Sequence, residues 1–433
     1  MKILNFDKFL TIVVILIMVL GLVNLYSASF YSDKSAFVKQ IIWVLIGVGL
    51  GVLLFYINVD DLLNASLFIY IVLFILTALT LFVGKEIRGT KSWLSIMGMG
   101  IQPSEFLKFG ILLLVVKFLT NEGVDLNKFS TFVVVGLIFF LPLGILVLQP
   151  DVGMSISYIF IFLLFAILAG LNRDLLLIIL LLMFSFGFFP FLRAYIDYLQ
   201  KTGVEIGKLT MVIISKEFTI ALAISSIVVG VLSLIISRAL KDKVRFVFAI
   251  IVIFIFTGSF FGNLAYDKLK QYQKNRLMVF FNPQVDRLGA GYNVIQSEIA
   301  VGSGGFSGKG FLNGSQNKLN ILPERTTDFA FSVLAEEWGF AGTIILLILY
   351  ILLFYRLITL MVSSEDLKSY LMMSIITLII FVNFLINMFM VLGLAPVTGL
   401  PLPFFSYGGS SMITNLSLIG LANNVYKRRS MML

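Results

Sequence analysis

The sequence contains no cysteine and no histidine among its 433 residues. Their absence excludes disulfide bonds, thiolate and imidazole catalysis, and almost every zinc, haem or iron–sulfur site. Chemistry must therefore be done by aspartate, glutamate, lysine, arginine, tyrosine, serine or threonine. Any bound metal would take oxygen ligands, which favours Mg²⁺, Mn²⁺ or Ca²⁺.

Charge is also scarce, because only 13% of the residues are charged and 59% are hydrophobic. Soluble domains do not have this balance. Most of the chain consists of apolar runs of about 17–25 residues, the length that crosses a bilayer as a helix. The runs are continuous and do not alternate, which excludes a membrane β-barrel. We therefore predict an all-α polytopic membrane protein, with residues 1–433 as a single transmembrane domain.

The apolar runs predict about twelve transmembrane helices, and an even number puts both termini on the same side. The positive-inside rule makes that side the cytoplasm, because Lys2 and Lys8 flank the first run. The rule also accounts for the net charge of +9 without a nucleic-acid partner. Three cations, Lys85, Arg88 and Lys91, lie in a loop that this topology places outside, against the positive-inside rule. An outward-facing site for an anionic substrate would produce such an exception. The predicted spans are residues 9–25, 41–57, 65–83, 106–119, 129–148, 156–171, 175–192, 218–236, 246–264, 329–355, 370–392 and 404–425.

Residues 265–328 form a long, polar, glycine-rich segment, which this topology places on the outer side. An irregular segment of this length between spans is expected to be functional rather than merely connecting. Its string SGGFSGKG looks like a phosphate loop, but Ser303 and Gly310 stand where that motif requires glycine and serine or threonine. Nucleotide binding is therefore rejected. A glycine-rich loop whose backbone N–H groups lie near an anion remains open.

Two charged residues interrupt the fourth run. Glu105 and Lys108 are three residues apart and therefore share one helix face. A charge within a span costs roughly 2.5–3.5 kcal/mol on insertion scales, so such residues usually face a partner or a wet cavity. The spacing Gly47-x-x-x-Gly51 is read instead as helix packing.

Three aspartates are candidate site residues that also have ordinary structural explanations. Asp286 would be a turn carboxylate paired with Arg287. Asp328 precedes an apolar run and would cap its helix, and Asp151 lies in a tight turn between spans. The residue pattern alone leaves both readings open.

Seven strings in order resemble the shape, elongation, division and sporulation (SEDS) family of polytopic peptidoglycan glycosyltransferases. The resemblance extends from near the first span to the C-terminus, and the forms PVTGLPLPF and GSGGFSGKGF resemble elongation-type members. The chain departs from the family pattern at Arg287, Thr326 and Met154, where proline, histidine and threonine are usual. The strings are RGTKSW, QPSEFLKF, LQPDVG, DRLGAGYNVIQS, GSGGFSGKGF, LPERTTDF and GLAPVTGLPLPFFSYGGSS.

The resemblance implies that lipid II is polymerised into glycan strands on the outer face of the cytoplasmic membrane, during cell elongation and shape maintenance. Asp286 matches the catalytic aspartate and would accept the proton of the acceptor hydroxyl, with Mg²⁺ or Mn²⁺ left open as a partner. Glu105 and Lys108 would line the central cavity, and Asp151 and Asp328 would join the substrate site. The cations expected to hold pyrophosphate are Arg88, Lys91, Arg276 and Lys309.

The resemblance also implies a class B penicillin-binding protein and other membrane proteins of the elongation machinery as partners. Family members have ten spans, so the predicted extra helix pair is assigned to residues 199–264, and residues 265–328 become the large outer catalytic loop. Two other functions remain open: a flippase that moves lipid II across the membrane, and a scaffold that only activates its partner. A flippase often has internal repeats, and none is visible in the sequence.

Overall fold

A computed structural model describes residues 5–432, except 88–89, 97–98, 172, 204–215, 241–251, 253–257, 259, 270 and 288. The chain divides into two compact units. The first combines Met1–Leu171 with Gln296–Leu433, and the second is Asn172–Ile295. Much of the predicted extra pair, residues 199–264, lies outside the described residues, so that assignment stays a prediction.

The helices of the first unit follow the predicted apolar runs. Two runs are reproduced to within one residue at each end, 65–83 and 129–148. The bounds are α1 (Lys8–Phe30), α2 (Ser35–Tyr56), α3 (Val59–Asn64), α4 (Ser66–Val83), α5 (Pro103–Leu119), α6 (Phe129–Leu148) and α7 (Val152–Leu168). In the second half of the chain this unit contains α12 (Ser315–Lys318), α13 (Ala330–Val362), α14 (Leu367–Val391) and α15 (Gly409–Met432).

Six of the described helices, α1, α2, α4, α6, α13 and α14, are long and apolar enough to cross a membrane. This result supports a multi-pass membrane protein. Helices α5 and α7 have 17 residues each and are shorter than a typical span. The number of twelve spans stays a prediction, because the predicted span 246–264 lies largely outside the described residues.

A small antiparallel sheet between α4 and α5 corrects the all-α prediction. It consists of β1 (Lys85–Ile87), β2 (Thr90–Ile96) and β3 (Met99–Ile101), in the order β1-β2-β3. The central strand pairs Trp93 with Lys85 on one side and Ser95 with Gly100 on the other. A side chain at Gly100 would come within 3.2 Å of the Trp93 ring, so the glycine lets the indole lie against the neighbouring strand. The sheet directly precedes the charged start of α5.

Glycines bring α2 and α15 into close contact. A Cβ atom at Gly51 would lie 2.8 Å from the carbonyl oxygen of Leu416, and one at Gly420 would lie 2.1 Å from the carbonyl oxygen of Gly51. A Cβ atom at Gly47 would lie 2.8 Å from the Leu416 side chain. Small residues allow helix backbones to approach in this way where lipid provides little hydrophobic drive. The prediction that Gly47 and Gly51 serve helix packing is confirmed.

Ion pairs tie helix ends together in the first unit. Asp7 caps α1 and accepts a hydrogen bond from Arg356 Nε of α13 at 2.6 Å. Asp60 on α3 binds Lys368 Nζ at 2.5 Å and Arg428 at 2.8 Å. These two cations lower the pKa of the Asp60 carboxyl, with the hydrogen bond from Lys368 as the largest cause. These bonds join the short helix α3 to the start of α14 and to the end of α15.

The second unit contains α8 (Arg173–Lys201), α9 (Lys216–Leu240), α10 (Gln271–Phe281) and a 3-10 turn (Pro283–Asp286), followed by the start of α11 (Ala290–Ser303). Its buried core includes Ala194, Tyr266 and Met278. The prediction that residues 265–328 are irregular is therefore wrong. Three helices, α10, α11 and the short α12, and a 3-10 turn occupy much of the segment. Apolar residues such as Met278 and Val279 give α10 a side that can be buried.

Candidate functional site

The first turn of α5 holds a buried charge pair. Pro103 occupies the first turn, where its missing N–H is not needed, and the helix then places Glu105 and Lys108 on one face. Lys108 Nζ lies 3.1 Å from Glu105 Oε2, and the two side chains are 2% and 4% exposed. The structure thus has the pair that the sequence predicts. Its role in substrate binding stays a prediction.

Asp151 lies beside this pair. Its carboxylate caps α7 by accepting the Met154 N–H at 3.1 Å, and it accepts Gln102 Nε2 at 2.8 Å. Burial raises the pKa of the Asp151 carboxyl, and the nearby Glu105 contributes to the rise. The Met154 N–H and, more weakly, Lys108 act in the opposite direction on this pKa. Asp151, Glu105 and Lys108 therefore form one electrostatically connected group.

A cavity of about 10 Å³ adjoins Lys108, which is roughly the space that one water molecule occupies. Tyr158 closes it from one side and donates its hydroxyl to the Ser104 carbonyl at 2.7 Å. The remaining walls are apolar. Lys108 thus borders a small space in the first unit, and this space is far smaller than a lipid-linked sugar.

Residues on either side of the proline- and glycine-rich segment before α15 contact Gln102 and Asp328. Ser410 Oγ accepts the Gln102 N–H at 2.8 Å. Asn387 donates to the carbonyl oxygens of Asp328 at 3.0 Å and Leu400 at 2.7 Å. Asp328 itself is 5% exposed. Within the segment, the buried Leu400 carbonyl thus has a side-chain partner, as buried backbone groups require.

The sequence predicts a cap role for Asp328 and pyrophosphate contacts for Lys91 and Arg88. The cap position of α13 belongs to Phe329, so the reading of Asp328 as the N-cap is wrong by one residue. Lys91 lies on β2 with an exposed side chain. Arg88 lies outside the described residues. The proposed contacts of Lys91 and Arg88 with pyrophosphate stay predictions.

The glycine-rich loop before α12 surrounds a buried carboxylate of the protein itself. Glu336 on α13 is fully buried and accepts Lys309 Nζ at 2.6 Å. The same carboxylate accepts the Ser315 N–H at 2.9 Å, its hydroxyl at 2.7 Å, and the Gln316 N–H at 3.2 Å. The anion that the loop was expected to approach is therefore Glu336 in this structure.

The next residue, Glu337, is bound in the same way by neutral donors. It is 1% exposed and accepts Ser27 Oγ at 2.6 Å, Asn317 Nδ2 at 3.1 Å and the Leu312 N–H at 3.3 Å. Sequence reasoning missed both glutamates. The signal that could have found them is a pair of adjacent carboxylates in an otherwise apolar run, because charges within spans usually have partners.

Glycines make this contact between loop and helix possible. Gly308 has φ +78° and a Cβ there would lie 2.2 Å from the Glu337 carbonyl oxygen. Helix α13 is interrupted at Gly339, where φ is +63°. The freed carbonyls of Glu336 and Glu337 accept the N–H groups of Lys309 at 3.0 Å and of residue 310 at 2.9 Å. The loop thus satisfies backbone groups that the break in the helix exposes.

In the second unit, Asp286 ends the 3-10 turn that follows α10. Asn275 Nδ2 on α10 donates to Asp286 Oδ2 at 3.3 Å. A Cβ at Gly289 would lie 2.6 Å from both carboxylate oxygens, so glycine is needed for the carboxylate to rest there. Arg276 is the neighbour of Asn275 on the same helix and is partly buried. The expected catalytic residue is therefore half-buried in a defined position.

A divalent cation at Asp286 can be judged from these neighbours. Among the described residues no group of three or more acidic side chains could hold a metal ion. The Asn275 side chain turns its nitrogen, which is not a metal ligand, towards Asp286. Mg²⁺, however, is commonly bound by one or two carboxylates together with substrate phosphates. A single aspartate fits an ion that arrives with a pyrophosphate substrate.

Comparison with known proteins places these features in context. The model of the cell cycle protein family FtsW, RodA and SpoVE matches residues 7–206 and 198–431. The peptidoglycan glycosyltransferase RodA of Treponema pallidum is 31% identical over 432 residues, which cover 98% of each chain. The peptidoglycan glycosyltransferase MrdB of Escherichia coli K12 is 30% identical over 365 residues, covering 84% of this chain and 78% of MrdB.

Two solved structures have the same fold along nearly the whole chain. One comes from work on the structural coordination of polymerization and crosslinking by a peptidoglycan synthase complex. It aligns with a TM-score of 0.69 and 29% identity, covering 98% of this chain and 99% of the other. The rod shape determining protein RodA of Thermus thermophilus aligns with a TM-score of 0.62 and 25% identity, covering 99% of each chain.

Proposed function

We propose a residue-level account of glycan polymerisation from the premise that this chain belongs to the FtsW, RodA and SpoVE family of cell cycle proteins. The chain is a multi-pass membrane peptidoglycan glycosyltransferase, the activity for which relatives of similar length are named. The observation that carries the account is the position of Asp286, whose carboxylate accepts a hydrogen bond from Asn275 Nδ2 and is in close contact with Gly289.

Asp286 is the proposed general base, and lipid II is the proposed substrate. The carboxylate accepts the proton of the acceptor sugar hydroxyl as that oxygen bonds to the anomeric carbon of the donor. The bond between this carbon and undecaprenyl pyrophosphate breaks in the same step, and the pyrophosphate leaves with its electron pair. A positioned general base typically contributes about 10²–10⁴-fold in rate. With no histidine or cysteine in the chain, a carboxylate is the natural candidate.

Four cations are proposed to hold the leaving pyrophosphate. Arg276 is the proposed ligand in the second unit, because arginine can bind phosphate oxygens through two parallel hydrogen bonds. Arg88 and Lys91 are proposed to assist from the outer loop. Lys309 is a weaker choice, because its Nζ already binds Glu336 at 2.6 Å. A divalent cation, Mg²⁺ or Mn²⁺, held by Asp286 and substrate phosphate would supply additional positive charge at the leaving group.

The charge pair in the first unit has a separate proposed role. Glu105, Lys108 and Asp151 would bind polar parts of the substrate, together with Asp328. Support comes from the burial of these residues and from the electrostatic coupling of Asp151 with Glu105 and Lys108. Burying charged groups costs free energy, and such residues within membrane proteins usually have a function. The small cavity beside Lys108 would then have to widen when substrate binds.

The cellular setting is proposed from the relatives. A cytoplasmic-membrane location with both termini in the cytoplasm agrees with the basic residues that flank the first and last apolar runs. A class B penicillin-binding protein is the proposed crosslinking partner. The similarity to a chain of a peptidoglycan synthase complex that coordinates polymerization and crosslinking supports this choice. Other elongation-machinery membrane proteins would join through the same complex.

Polymer formation from purified protein and lipid II tests the assignment of Asp286. Asp286→Asn should lose polymerisation while retaining wild-type elution in gel filtration and the same thermal midpoint in detergent. Asp125→Asn is a matched control, since it makes the same chemical change at an exposed carboxylate in the loop before α6. It should polymerise normally. Normal polymer from Asp286→Asn would disprove the assignment.

A further inference from the structure

We propose that Asn275 is a positioning residue for Asp286, and that Gln271 fixes the orientation of the Asn275 amide. The inference rests on the proposed catalytic role of Asp286. Gln271, Asn275 and Asp286 form a chain of hydrogen bonds in the second unit. Gln271 Nε2 donates to Asn275 Oδ1 at 3.0 Å, and Asn275 Nδ2 donates to Asp286 Oδ2 at 3.3 Å.

The chemistry of the three side chains allows only one direction for these bonds. An ionised carboxylate accepts hydrogen bonds and donates none, so the Asn275 atom that faces Asp286 must be its NH₂ group. The amide oxygen of Asn275 then points towards Gln271, which must donate. If Gln271 could not donate, Asn275 would lose the bond that holds its amide in this orientation. Its oxygen would then be free to turn towards the Asp286 carboxylate, where two acceptors repel each other.

Helix α10 provides a rigid base for this chain. Gln271 and Asn275 are four residues apart and therefore neighbours on one face of the helix. Met278 and Val279 on the same helix are 1% and 2% exposed, and Met278 packs in the core with Ala194 of α8. Rotation of α10 about its axis would expose these apolar side chains. The helix therefore holds the Asn275 amide in a fixed position.

The turn that carries Asp286 is fixed independently. Asn282 caps it by accepting the Gln284 N–H at 2.9 Å. A Cβ at Gly291 would lie 2.0 Å from the Pro283 carbonyl oxygen, so the chain leaves the turn with its backbone in close contact. Close contact with Gly289 and the hydrogen bond from Asn275 Nδ2 to Oδ2 together restrict the orientation of the Asp286 carboxylate.

A positioning role predicts an effect on turnover rather than on substrate affinity. Misplacement of a reacting group by about 1 Å can cost about 100-fold in rate. Asn275→Asp keeps the shape of the side chain but removes the donor. It should lower kcat for lipid II polymerisation by about 10- to 100-fold with KM little changed. Equal thermal midpoints in detergent would show that the variant is folded.

Gln271 gives a sharper test, because its side chain is exposed and substitutions there should not disturb folding. Gln271→Glu cannot donate to Asn275 Oδ1 and should lower kcat. Gln271→Lys retains a donor and should keep kcat near that of the wild type. A merely structural role for this position would not separate the two variants. Gln284→Glu and Gln284→Lys make the same charge changes at an exposed residue two positions before Asp286, and neither should alter kcat.

The outcomes separate this inference from the proposed function. Loss of kcat in Asn275→Asp and Gln271→Glu, with Gln271→Lys active, supports the chain of hydrogen bonds. Wild-type kcat in Asn275→Asp, or equal kcat in the two Gln271 variants, overturns it. If either of these results is found while Asp286→Asn is inactive in the same assay, only the positioning role of Asn275 and Gln271 is refuted. If Asp286→Asn polymerises normally, the proposed role of Asp286 itself is wrong.

Discussion

Replacing Lys108 by methionine would leave buried carboxylates without their cation. Lys108 Nζ lies 3.1 Å from Glu105 Oε2, and the two side chains are only 2% and 4% exposed. Bulk water therefore has little access to the carboxylate that would remain. Breaking a buried ion pair by removing one member costs about 3–5 kcal/mol, because the remaining charge stays uncompensated. We expect Lys108→Met to lose folding stability of about that size.

Replacing Glu105, the other member of the pair, should lower the folding stability less than replacing Lys108. In Glu105→Gln, Lys108 still interacts favourably with Asp151. In Lys108→Met, by contrast, Glu105 and Asp151 are left to repel each other. The double variant removes the orphaned Glu105 charge as well, so it should be more stable than Lys108→Met alone. The expected order is wild type, then Glu105→Gln and the double variant, and finally Lys108→Met.

Thermal unfolding in detergent at several pH values measures this order. Burial raises the pKa of Asp151, so its protonated form is the one that the fold favours. The stability from this effect is complete below its ordinary value of 3.8 and declines as pH rises through the raised pKa. Protonation also ends the repulsion between Asp151 and Glu105. The deficit of Lys108→Met should therefore be smaller near about pH 4 than near about pH 8.

Lys117→Met provides the matched control on the same helix. Lys117 lies in the last turn of α5, where its Nζ bonds to Asn64 Oδ1 at 2.9 Å in an exposed position. The expected loss is about 0.5–1.5 kcal/mol, the usual net contribution of one hydrogen bond. The reasoning is refuted if Lys108→Met is no less stable than Lys117→Met, or if the losses of the two single variants simply add in the double variant.

Three further predictions concern other parts of the first unit. Glu336→Leu should lower the thermal midpoint far more than Lys309→Met, because it removes a fully buried acceptor that several donors share, whereas Lys309 is 30% exposed. Equal shifts would contradict this role of Glu336. Gly308→Ala should destabilise strongly, since φ is +78° and a Cβ would lie 2.2 Å from a carbonyl oxygen. Gly302→Ala, which meets nothing within 4 Å in α11, should be neutral or slightly stabilising in the same melt. The pKa of Asp60 is lowered by its cations, so its contribution is present above 3.8 and is lost as pH falls through the lowered value. Asp60→Asn should therefore show a smaller loss of thermal midpoint on acidification than the wild type does.

The sequence predicts the helices well where an apolar run has polar ends. Helix α6 has the predicted bounds 129–148, because Lys128 and Gln149 close the run on both sides. The pair Glu105–Lys108 was predictable for a similar reason, since helical spacing alone puts the two side chains on one face. Both inferences use information that is local in the chain.

The small sheet was not predictable in this way. Its strands have three, seven and three residues, and the sequence between Lys85 and Ile101 is rich in charge and glycine. Strand preference depends on the partner strand and on burial more than on the residues themselves. Here the pairing of Leu94 with Ile101 and of Lys85 with Trp93 provides that context. A prediction of secondary structure from hydrophobic runs alone therefore misses these strands.

The glycine-rich loop shows why a motif can indicate the right chemistry and the wrong partner. Lysine, serine hydroxyls and backbone N–H groups around glycine do form an anion site, as the string suggested. The anion is Glu336, which lies 27 residues beyond Lys309 and is brought back by the fold. A phosphate oxygen at Lys309 would have to displace this carboxylate from a fully buried position. The positive charge of Lys309 is therefore already used to hold Glu336 of α13.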